Sequence, residues 1–320
     1  MYTEVTTWRH VPLVNPHLEV WEWQIPAYLF LGGLVAGLMI LNALWRMQGR
    51  TAQGRAVTLY GAIAAPVLLS LGMLFLFLDL SNRENVFRFY MVFRPSSPMS
   101  WGAWILIAVY PVQILLLALP GGLEQFGGRL TFLNRVWEWI KRFALKVERP
   151  VLWLAVILGV GLGVYTGILL SVNVARPLWN TGLLGPLFLI SGLSAGSAFV
   201  MLAKPTELEA HSAARWDAGL LIAEIAFLSL VLVNLATGLE PQQQAASLLL
   251  GGAFTPSFWI FVVILGALMP LWLEMREITR KPTPSWLAPT LVLIGGFALR
   301  YVLVVAGQVS HIAEVTAMCH

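Results

Sequence analysis

The chain has 320 residues, of which 58% are hydrophobic and only 11% are charged. A soluble chain carries roughly 25% charged residues, so this composition excludes a soluble globular protein and predicts an integral membrane protein. The net charge is a modest +4, and its distribution along the chain is more informative than its sum. The single cysteine, Cys319, excludes an internal disulfide and a cysteine-ligated zinc or iron–sulfur site held by this chain alone.

Eight apolar runs are long enough to cross a bilayer, which takes roughly 20 residues per helix. In chain order they cover residues 26–45, 56–80, 101–119, 151–172, 182–202, 218–237, 257–273 and 286–307. Charged or turn-rich connectors separate them, so residues 1–320 are predicted to form one all-α membrane domain of eight transmembrane helices. The first run is longer than a signal-peptide core, and no cleavable signal peptide is expected.

Basic residues fall unevenly on the two sides of the predicted membrane. Fourteen arginines and lysines lie in or beside the connectors of one side, five lie on the other side, and Arg300 falls inside the eighth span. Connectors rich in Lys and Arg stay in the cytoplasm, so both termini are predicted to face the periplasm from a bacterial inner membrane. Residues 132–147 of the longest cytoplasmic connector have the pattern of a basic amphipathic helix lying among lipid headgroups.

The two halves of the chain share spacings that indicate an internal duplication. The Gly-x-x-x-Gly strings at residues 33–37 and 192–196 are offset by 159 residues, and the mid-span prolines Pro111 and Pro270 have the same offset. Four spans separate the copies, so both have the same orientation in the membrane. The sequence therefore predicts a parallel repeat of two four-helix bundles. They cover residues 25–173 and 182–308.

Ionisable side chains inside the spans are the first functional candidates, because a charge in the bilayer costs roughly 2.5–3.5 kcal/mol. Glu224 and Arg300 lie mid-span, whereas Asp79, Asp217 and Glu274 lie near span ends. For Asp217 and Glu274, a charge at headgroup level is an equally good interpretation. For Glu224 and Arg300, the alternative is a structural ion pair or bonds to neighbouring polar groups. If they do not pair, a proton pathway through these residues is the better explanation.

The outer end of the first span combines aromatic and polar residues. Trp21 and Trp23 are typical of the aromatic belt at a membrane interface. Gln24 and Tyr28 share a helix face, and Glu22 lies beside them in sequence. An amide and a phenol presented together at interface depth suit the carbonyl of a quinone, which needs a hydrogen-bond donor and then a proton.

Haem is argued against by the positions of the histidines. None of the five lies mid-span, and a bis-histidine haem needs imidazoles facing one another inside the bundle. The sequence also has no Walker loop, dinucleotide glycine fingerprint or catalytic triad signature. The protein therefore has no evident redox chemistry of its own apart from handling a quinone. The histidines are His10, His17, His211, His311 and His320.

Four segments resemble the NrfD-like family of polysulfide reductase membrane subunits, and together they extend over nearly the whole sequence. The strings at 95–104 and 173–180 are specific and not generic membrane patterns. The segments are residues 21–33 (WEWQIPAYLFLGG), 95–104 (PSSPMSWGAW), 173–180 (NVARPLWN) and 299–308 (LRYVLVVAGQ).

The resemblance implies an eight-helix, haem-free subunit that reacts with menaquinone or ubiquinone. It implies two protein partners: a ferredoxin-like iron–sulfur protein on the periplasmic face, and a catalytic oxidoreductase subunit that is often a molybdopterin enzyme. Membrane lipid is a further expected partner, and nucleic acid is not. Electrons would pass between the membrane quinol and the clusters, so the substrate site of the complex would lie in a partner protein.

The resemblance also assigns residues to the quinone site, which it places in the first bundle. Tyr165 matches the quinone-contacting phenol of the family. In the polysulfide reductase branch, the first span contributes an asparagine and a histidine, and these positions align here with Ile25 and Tyr28. This departure leads us to expect Glu22, Gln24 and Tyr28 as the substitutes.

Proton transfer is the second role that the resemblance implies. Asp79, Glu274 and Arg300 fall close to family positions associated with proton transfer, and Asp217 and Glu224 join them as buried acids. One alternative is a quinone-inactive subunit, either structural or proton-translocating, in a larger respiratory complex. The other alternative is a secondary transporter or proton channel, although transporters often have inverted repeats and this repeat is parallel.

Overall fold

The computed structural model describes residues 21–50, 54–80, 83–91, 93–123, 131–173, 175–280 and 286–310. Within these ranges the protein is helical, and eight helices are long and apolar enough to cross a membrane. The prediction of eight spans is confirmed, and the protein is a multi-pass membrane protein by length and composition of its helices.

The helices follow one another along the sequence with two shorter ones between the spans. The spanning helices are α1 (Gln24–Met47), α2 (Ala56–Asp79), α3 (Pro98–Ala118), α5 (Glu148–Ser171), α6 (Leu184–Leu202), α7 (Glu207–Ala236), α9 (Ser257–Thr279) and α10 (Leu287–Val309). The shorter ones are α4 (Thr131–Lys146) and α8 (Glu240–Leu250). A single helical turn, Arg88–Met91, lies in the connector between α2 and α3.

Two spanning helices begin with wide π-helical turns, Ala56–Gly61 in α2 and Ser257–Leu268 in α9. Each stretch is followed within a few residues by a proline, Pro66 or Pro270. Proline lacks the backbone N–H that would bond to the preceding turn, and a widened turn is one way for a helix to accommodate the missing bond.

The predicted boundaries differ most for the sixth span. The helix α7 begins at Glu207, because Thr206 and Glu209 form a reciprocal capping box at its start. Charged residues in these first turns interrupt the apolar run, so hydropathy alone placed the start at residue 218. Similarly, α9 continues beyond the predicted end at residue 273. Asp217 and Glu274 consequently lie inside the protein, and both are fully buried.

The predicted amphipathic helix is present as α4. Its exposed face includes Phe132 and Trp139, and the Trp139 ring stacks on Phe143 with 6.0 Å between centroids. Lys141 and Glu138 form an ion pair of 3.0 Å on the same helix. The helix therefore presents both aromatic and charged groups, as the pattern predicted, and its location among lipid headgroups stays a prediction.

The two halves of the protein meet where α1 packs against α6. A Cβ atom added at Gly37 would overlap the carbonyl oxygen of Gly192, and one added at Gly196 would lie 2.8 Å from the carbonyl carbon of Gly37. Only glycine permits this approach, so the helices touch backbone to backbone. The two Gly-x-x-x-Gly strings that suggested a duplication are thus in contact with each other. The repeat itself stays a prediction.

Both ends of the described sequence lie on one face of the bundle. The Trp21 backbone N–H donates to Oε1 of Gln308 at 3.0 Å, and Nε2 of Gln308 donates to the Trp21 carbonyl at 2.8 Å. The Trp21 ring stacks on Trp179 with 5.3 Å between centroids. Arg176 donates to the Gln308 carbonyl at 2.6 Å. We call this side, where α1 begins and α10 ends, the terminal face.

Candidate functional site

A cavity of about 90 Å³ lies between α1, α2, α3 and α5 near the terminal face. Tyr28 is four residues into α1 and Tyr165 is six residues from the end of α5, so both lie roughly 6–9 Å from the helix ends at that face. Phe77 and Met99 line the cavity and are also partly exposed on the surface. The cavity therefore reaches the outside of the bundle between α2 and α3.

The walls of the cavity are almost entirely apolar. Its polar side-chain groups are the hydroxyls of three tyrosines, Tyr28, Tyr90 and Tyr165. The apolar lining residues are Met73, Leu76, Phe77, Leu80, Val86, Met99, Ala103, Leu106 and Leu169. Such a site suits a largely apolar ring that carries hydrogen-bond acceptors.

The Tyr28 hydroxyl is the polar group of the cavity that most clearly lacks a partner. It adjoins the Tyr165 hydroxyl, yet it is completely buried and has no hydrogen bond of good geometry. A buried donor left unpaired costs roughly 1–3 kcal/mol. A ligand oxygen placed between the two phenols would recover that free energy.

Glycine makes room for the second phenol. The Tyr165 ring lies directly over Gly102 of α3, and a Cβ atom added at Gly102 would overlap its terminal ring carbon and hydroxyl. Gly102 belongs to the specific string at residues 95–104. The glycine of that string therefore determines how far the Tyr165 phenol reaches across the cavity.

The other predicted quinone-site residues lie outside the cavity lining. Nε2 of Gln24 donates to the exposed Glu22 carboxylate at 3.3 Å, and Oε1 of Gln24 is buried without a partner. Asp79 is the last residue of α2, and its carboxylate is close enough to Glu22 for the two charges to interact. The structure brings Tyr28 and Tyr165 together and places Glu22, Gln24 and Asp79 between them and the terminal face.

Arg300 is completely buried between α1, α6 and α10. Its Nε donates to the carbonyl of Leu29 at 3.2 Å, and Leu29 follows Tyr28 in α1. Its other groups donate to the Phe188 carbonyl at 3.0 Å, to the Gly296 carbonyl at 2.8 Å and to Oγ of Ser191 at 3.1 Å. The guanidinium is thus held by carbonyls and a hydroxyl.

Glu224 and Arg300 have one neighbour in common, Ser191. The Glu224 carboxyl group lies close enough to Ser191 to interact with it, and Ser191 accepts a hydrogen bond from Arg300. In the described part of the protein, no carboxylate lies within ion-pair distance of the Arg300 guanidinium. The direct ion pair considered from the sequence is therefore wrong, and Arg300 is held by neighbouring polar groups, the other alternative considered there.

Asp217 and Glu274 form a second buried polar group, nearer the opposite face. Ser194 donates to Oδ1 of Asp217 at 2.5 Å. The other Asp217 oxygen and both Glu274 oxygens have no hydrogen bond of good geometry, although the two carboxyl groups face each other closely enough to interact. No cation among the described residues pairs with either. Two adjacent carboxyl groups buried without a cation cannot both be charged without a large cost in free energy.

Four residues of these sites were not identified from the sequence. Ser191 and Ser194 lie three residues apart on one face of α6, a spacing that marks a polar stripe in an apolar helix. Gly102 was part of a recognised string, but glycine carries no sign of what packs on it. Tyr90 lies in a connector, where hydropathy gives no information about contacts with the bundle.

Most of the histidines lie beyond the described ranges. Of the five, His211 lies near the start of α7, and the other four lie outside the described residues, as does Cys319. Within those ranges, no group of three or more His, Cys, Asp and Glu side chains is arranged to hold a metal ion. The absence of haem stays a prediction.

The fold and the cavity define a class: a multi-pass helical membrane protein with an open-sided, phenol-lined cavity. The sequence model described as "Polysulphide reductase, NrfD" matches residues 11–313. The protein belongs to this family, and the predicted resemblance is confirmed.

Individual relatives agree with this assignment. A polysulfide reductase subunit of Wolinella succinogenes is 30% identical over 306 residues, which cover 90% of this protein and 94% of that one. Protein NrfD of Escherichia coli is 32% identical over 314 residues, covering 92% and 97% of the two sequences. A tetrathionate reductase subunit of Salmonella typhimurium is 30% identical over 199 residues, which are 60% of this protein and 51% of that one.

Proposed function

We propose that this protein is the quinol-reactive membrane subunit of a multi-subunit reductase complex in the bacterial inner membrane. The observation that carries the proposal is the buried, unpartnered Tyr28 hydroxyl beside Tyr165 in an apolar cavity. The names of two relatives, as subunits of polysulfide and tetrathionate reductases, support a role within a complex. The uneven distribution of basic residues supports a periplasmic terminal face.

The chemistry of the cavity lining suits the headgroup of either menaquinone or ubiquinone. Apolar walls accept the ring, a phenol donates to a carbonyl oxygen, and the opening between α2 and α3 leaves room for an isoprenoid tail to stay in the lipid. A bound quinol, on oxidation to quinone, supplies two electrons and two protons. No other redox group is needed from this protein.

Residues around the cavity have distinct roles in this proposal. Tyr28 and Tyr165 hold one oxygen of the headgroup and orient the ring. Glu22 and Asp79, between the cavity and the terminal face, accept the two protons and pass them to that side. The two electrons go to an iron–sulfur cluster of a ferredoxin-like partner docked on the terminal face, and from there to a catalytic subunit, for which a molybdopterin enzyme is the expected class.

The substitution Tyr165→Phe tests the proposal in the assembled complex. Removing the hydroxyl should lower quinol-dependent turnover by roughly tenfold or more, because a donor at the reacting oxygen stabilises the transition state. Tyr60→Phe, a half-exposed tyrosine near the opposite end of α2, is the matched control and should leave turnover unchanged. Turnover that is the same in Tyr165→Phe and the control would remove the cavity from the reaction.

We also propose a second function, proton transfer from the opposite face toward the cavity. Asp217 and Glu274 are buried together near that face, and Glu224 lies about two helical turns further along α7. Glu224 and Arg300 both adjoin Ser191, and Arg300 donates to the carbonyl of Leu29, the residue next to Tyr28. Buried acids without a cation are costly when charged, and an ionisable group inside a membrane protein is a functional candidate by default, which supports the pathway.

Proton movement by the complex in liposomes tests the second function. With a pH-sensitive dye, Glu224→Gln should reduce the number of protons moved per quinol oxidised while quinol turnover in detergent continues. Glu240→Gln, an exposed acid at the start of α8, is the control. An unchanged proton count in Glu224→Gln would exclude this pathway. If Glu224→Gln reduces proton movement while Tyr165→Phe leaves quinol turnover unchanged, the protein is a quinone-inactive, proton-translocating subunit.

A further inference from the structure

The cavity is closed on one side by a connector and not by a membrane helix. Val86 and Tyr90, from the segment between α2 and α3, belong to its lining. Tyr90 is half-buried in the helical turn Arg88–Met91. It is the third phenol of the cavity, and the quinol site proposed above does not use it.

A para-quinone needs hydrogen-bond donors at two places. Its two carbonyl oxygens lie on opposite edges of the ring, so a single cluster of donors reaches only one of them. The hydroxyls of Tyr28 and Tyr165 adjoin each other, and they therefore serve the same edge. Apart from these two, the cavity lining among the described residues offers one further side-chain donor, the hydroxyl of Tyr90.

We propose that Tyr90 is the second hydrogen-bond donor of the site and holds the carbonyl on the edge of the ring opposite the Tyr28–Tyr165 pair. The inference rests on the proposed quinol-binding function of the cavity. If Tyr90 has this role, the connector between α2 and α3 is part of the binding site. The preferred ligand must then carry two carbonyl oxygens.

The surroundings of Tyr90 suit a neutral donor. Partial burial, with Tyr110 nearby, raises the pKa of the Tyr90 phenol above its ordinary value. The hydroxyl therefore keeps its proton throughout the physiological range and donates a neutral hydrogen bond. A neutral donor binds quinone and quinol alike, so Tyr90 should contribute to binding more than to the chemical step.

The experiment compares three tyrosine variants in the intact complex: Tyr90→Phe, Tyr165→Phe and the control Tyr60→Phe. Steady-state turnover is measured with menadiol. Tyr90→Phe should raise KM by roughly three- to tenfold, the effect of one lost hydrogen bond, with kcat within about twofold of the native value. Tyr60→Phe should change neither constant. Tyr90→His, which returns a ring-borne donor, should recover part of the lost affinity.

A binding measurement distinguishes a lost hydrogen bond from a general disturbance of the cavity. Menadione has two carbonyl oxygens, and 2-methyl-1-tetralone has one on a ring system of similar size. Tyr90→Phe should weaken inhibition by, or binding of, menadione and leave the affinity for the tetralone unchanged. Equal weakening of both ligands would overturn the proposal in favour of altered packing.

The outcomes separate this inference from the function on which it rests. If Tyr165→Phe lowers turnover while Tyr90→Phe leaves KM and menadione binding unchanged, the cavity is a quinol site and Tyr90 is not its second donor. If neither variant differs from Tyr60→Phe, the proposed quinol function fails and the inference fails with it. Co-purification of the partner subunits with each variant shows that the complex has assembled.

Discussion

The two halves of the protein bury polar groups of different kinds. In the first half, the cavity presents tyrosines, whose phenols ordinarily stay neutral up to about pH 10. In the second half, acids on α7 and α9 are buried together with serines of α6. A neutral donor can bind a neutral ligand without the cost of a buried charge, whereas an acid can take up and release a proton. Under the two proposed functions, ligand binding belongs to the first half of the protein and proton transfer to the second.

A second comparison, between two buried arginines, shows that a buried charge alone does not mark a functional site. Arg46 donates to Asn42 at 2.6 Å and to the carbonyls of Pro120 and Leu116 at 2.5 and 3.1 Å. It therefore fastens the end of α1 to the end of α3, away from the cavity. Arg300 also donates to carbonyls, but it donates in addition to Ser191, and the acid Glu224 lies beside that serine.

The largest effect is expected at the contact between α1 and α6, where the two halves of the protein meet. Gly37→Ala should destabilise the protein by roughly 3 kcal/mol, because the added methyl group meets the backbone of Gly192, which cannot move aside as a side chain can. Unfolding in detergent, followed by circular dichroism, measures the change. Gly219→Ala in α7 is the control, since nothing lies within 4 Å of a Cβ there, and it should be neutral or stabilising. Equal stability of the two variants would mean that the halves are not packed backbone to backbone.

A smaller effect, confined to the first half, is expected for Gly102→Ala. The methyl group displaces the Tyr165 phenol from its position over Gly102. Quinol turnover should therefore fall by roughly tenfold, which corresponds to a rise of about 1.4 kcal/mol in the activation free energy. The complex should still assemble. Gly161→Ala in α5 places its Cβ 3.6 Å from a side-chain methyl of Ile105, an ordinary contact, and should leave turnover unchanged. If Gly102→Ala turns over quinol normally, the position of the phenol does not control the reaction.

The smallest effect is expected in the second half, for Ser191→Ala. This change removes the hydroxyl that accepts a hydrogen bond from Arg300. One hydrogen bond to a charged group is worth roughly 1.5–3 kcal/mol. The carbonyl partners of Arg300 remain, so the loss should be smaller than that. We expect a loss of about 1 kcal/mol in unfolding free energy, together with fewer protons moved per quinol in liposomes. Ser229→Ala, an exposed serine of α7 bonded only to its own helix, is the control. Unchanged proton movement would show that Ser191 serves packing alone.

The sequence predicted the number and order of the membrane helices because long apolar runs have few other uses. It did not predict the start of α7, since a capping box of charged and polar residues determines that end. Tyr28 was placed at the site by its helix face, and Tyr165 by the family resemblance. Tyr90 and the facing pair of Asp217 and Glu274 were beyond reach, because their neighbours depend on how a connector and two distant helices pack.

The reciprocal hydrogen bonds between Trp21 and Gln308 have a topological consequence. They hold the first described residues against the last helix, so the two ends of the described sequence lie side by side. A circularly permuted protein, with its ends joined on the terminal face and new ends opened in the connector between α6 and α7, would keep every helix contact described above. Such a protein would insert its helices into the membrane in a different order and still reach the same helix packing.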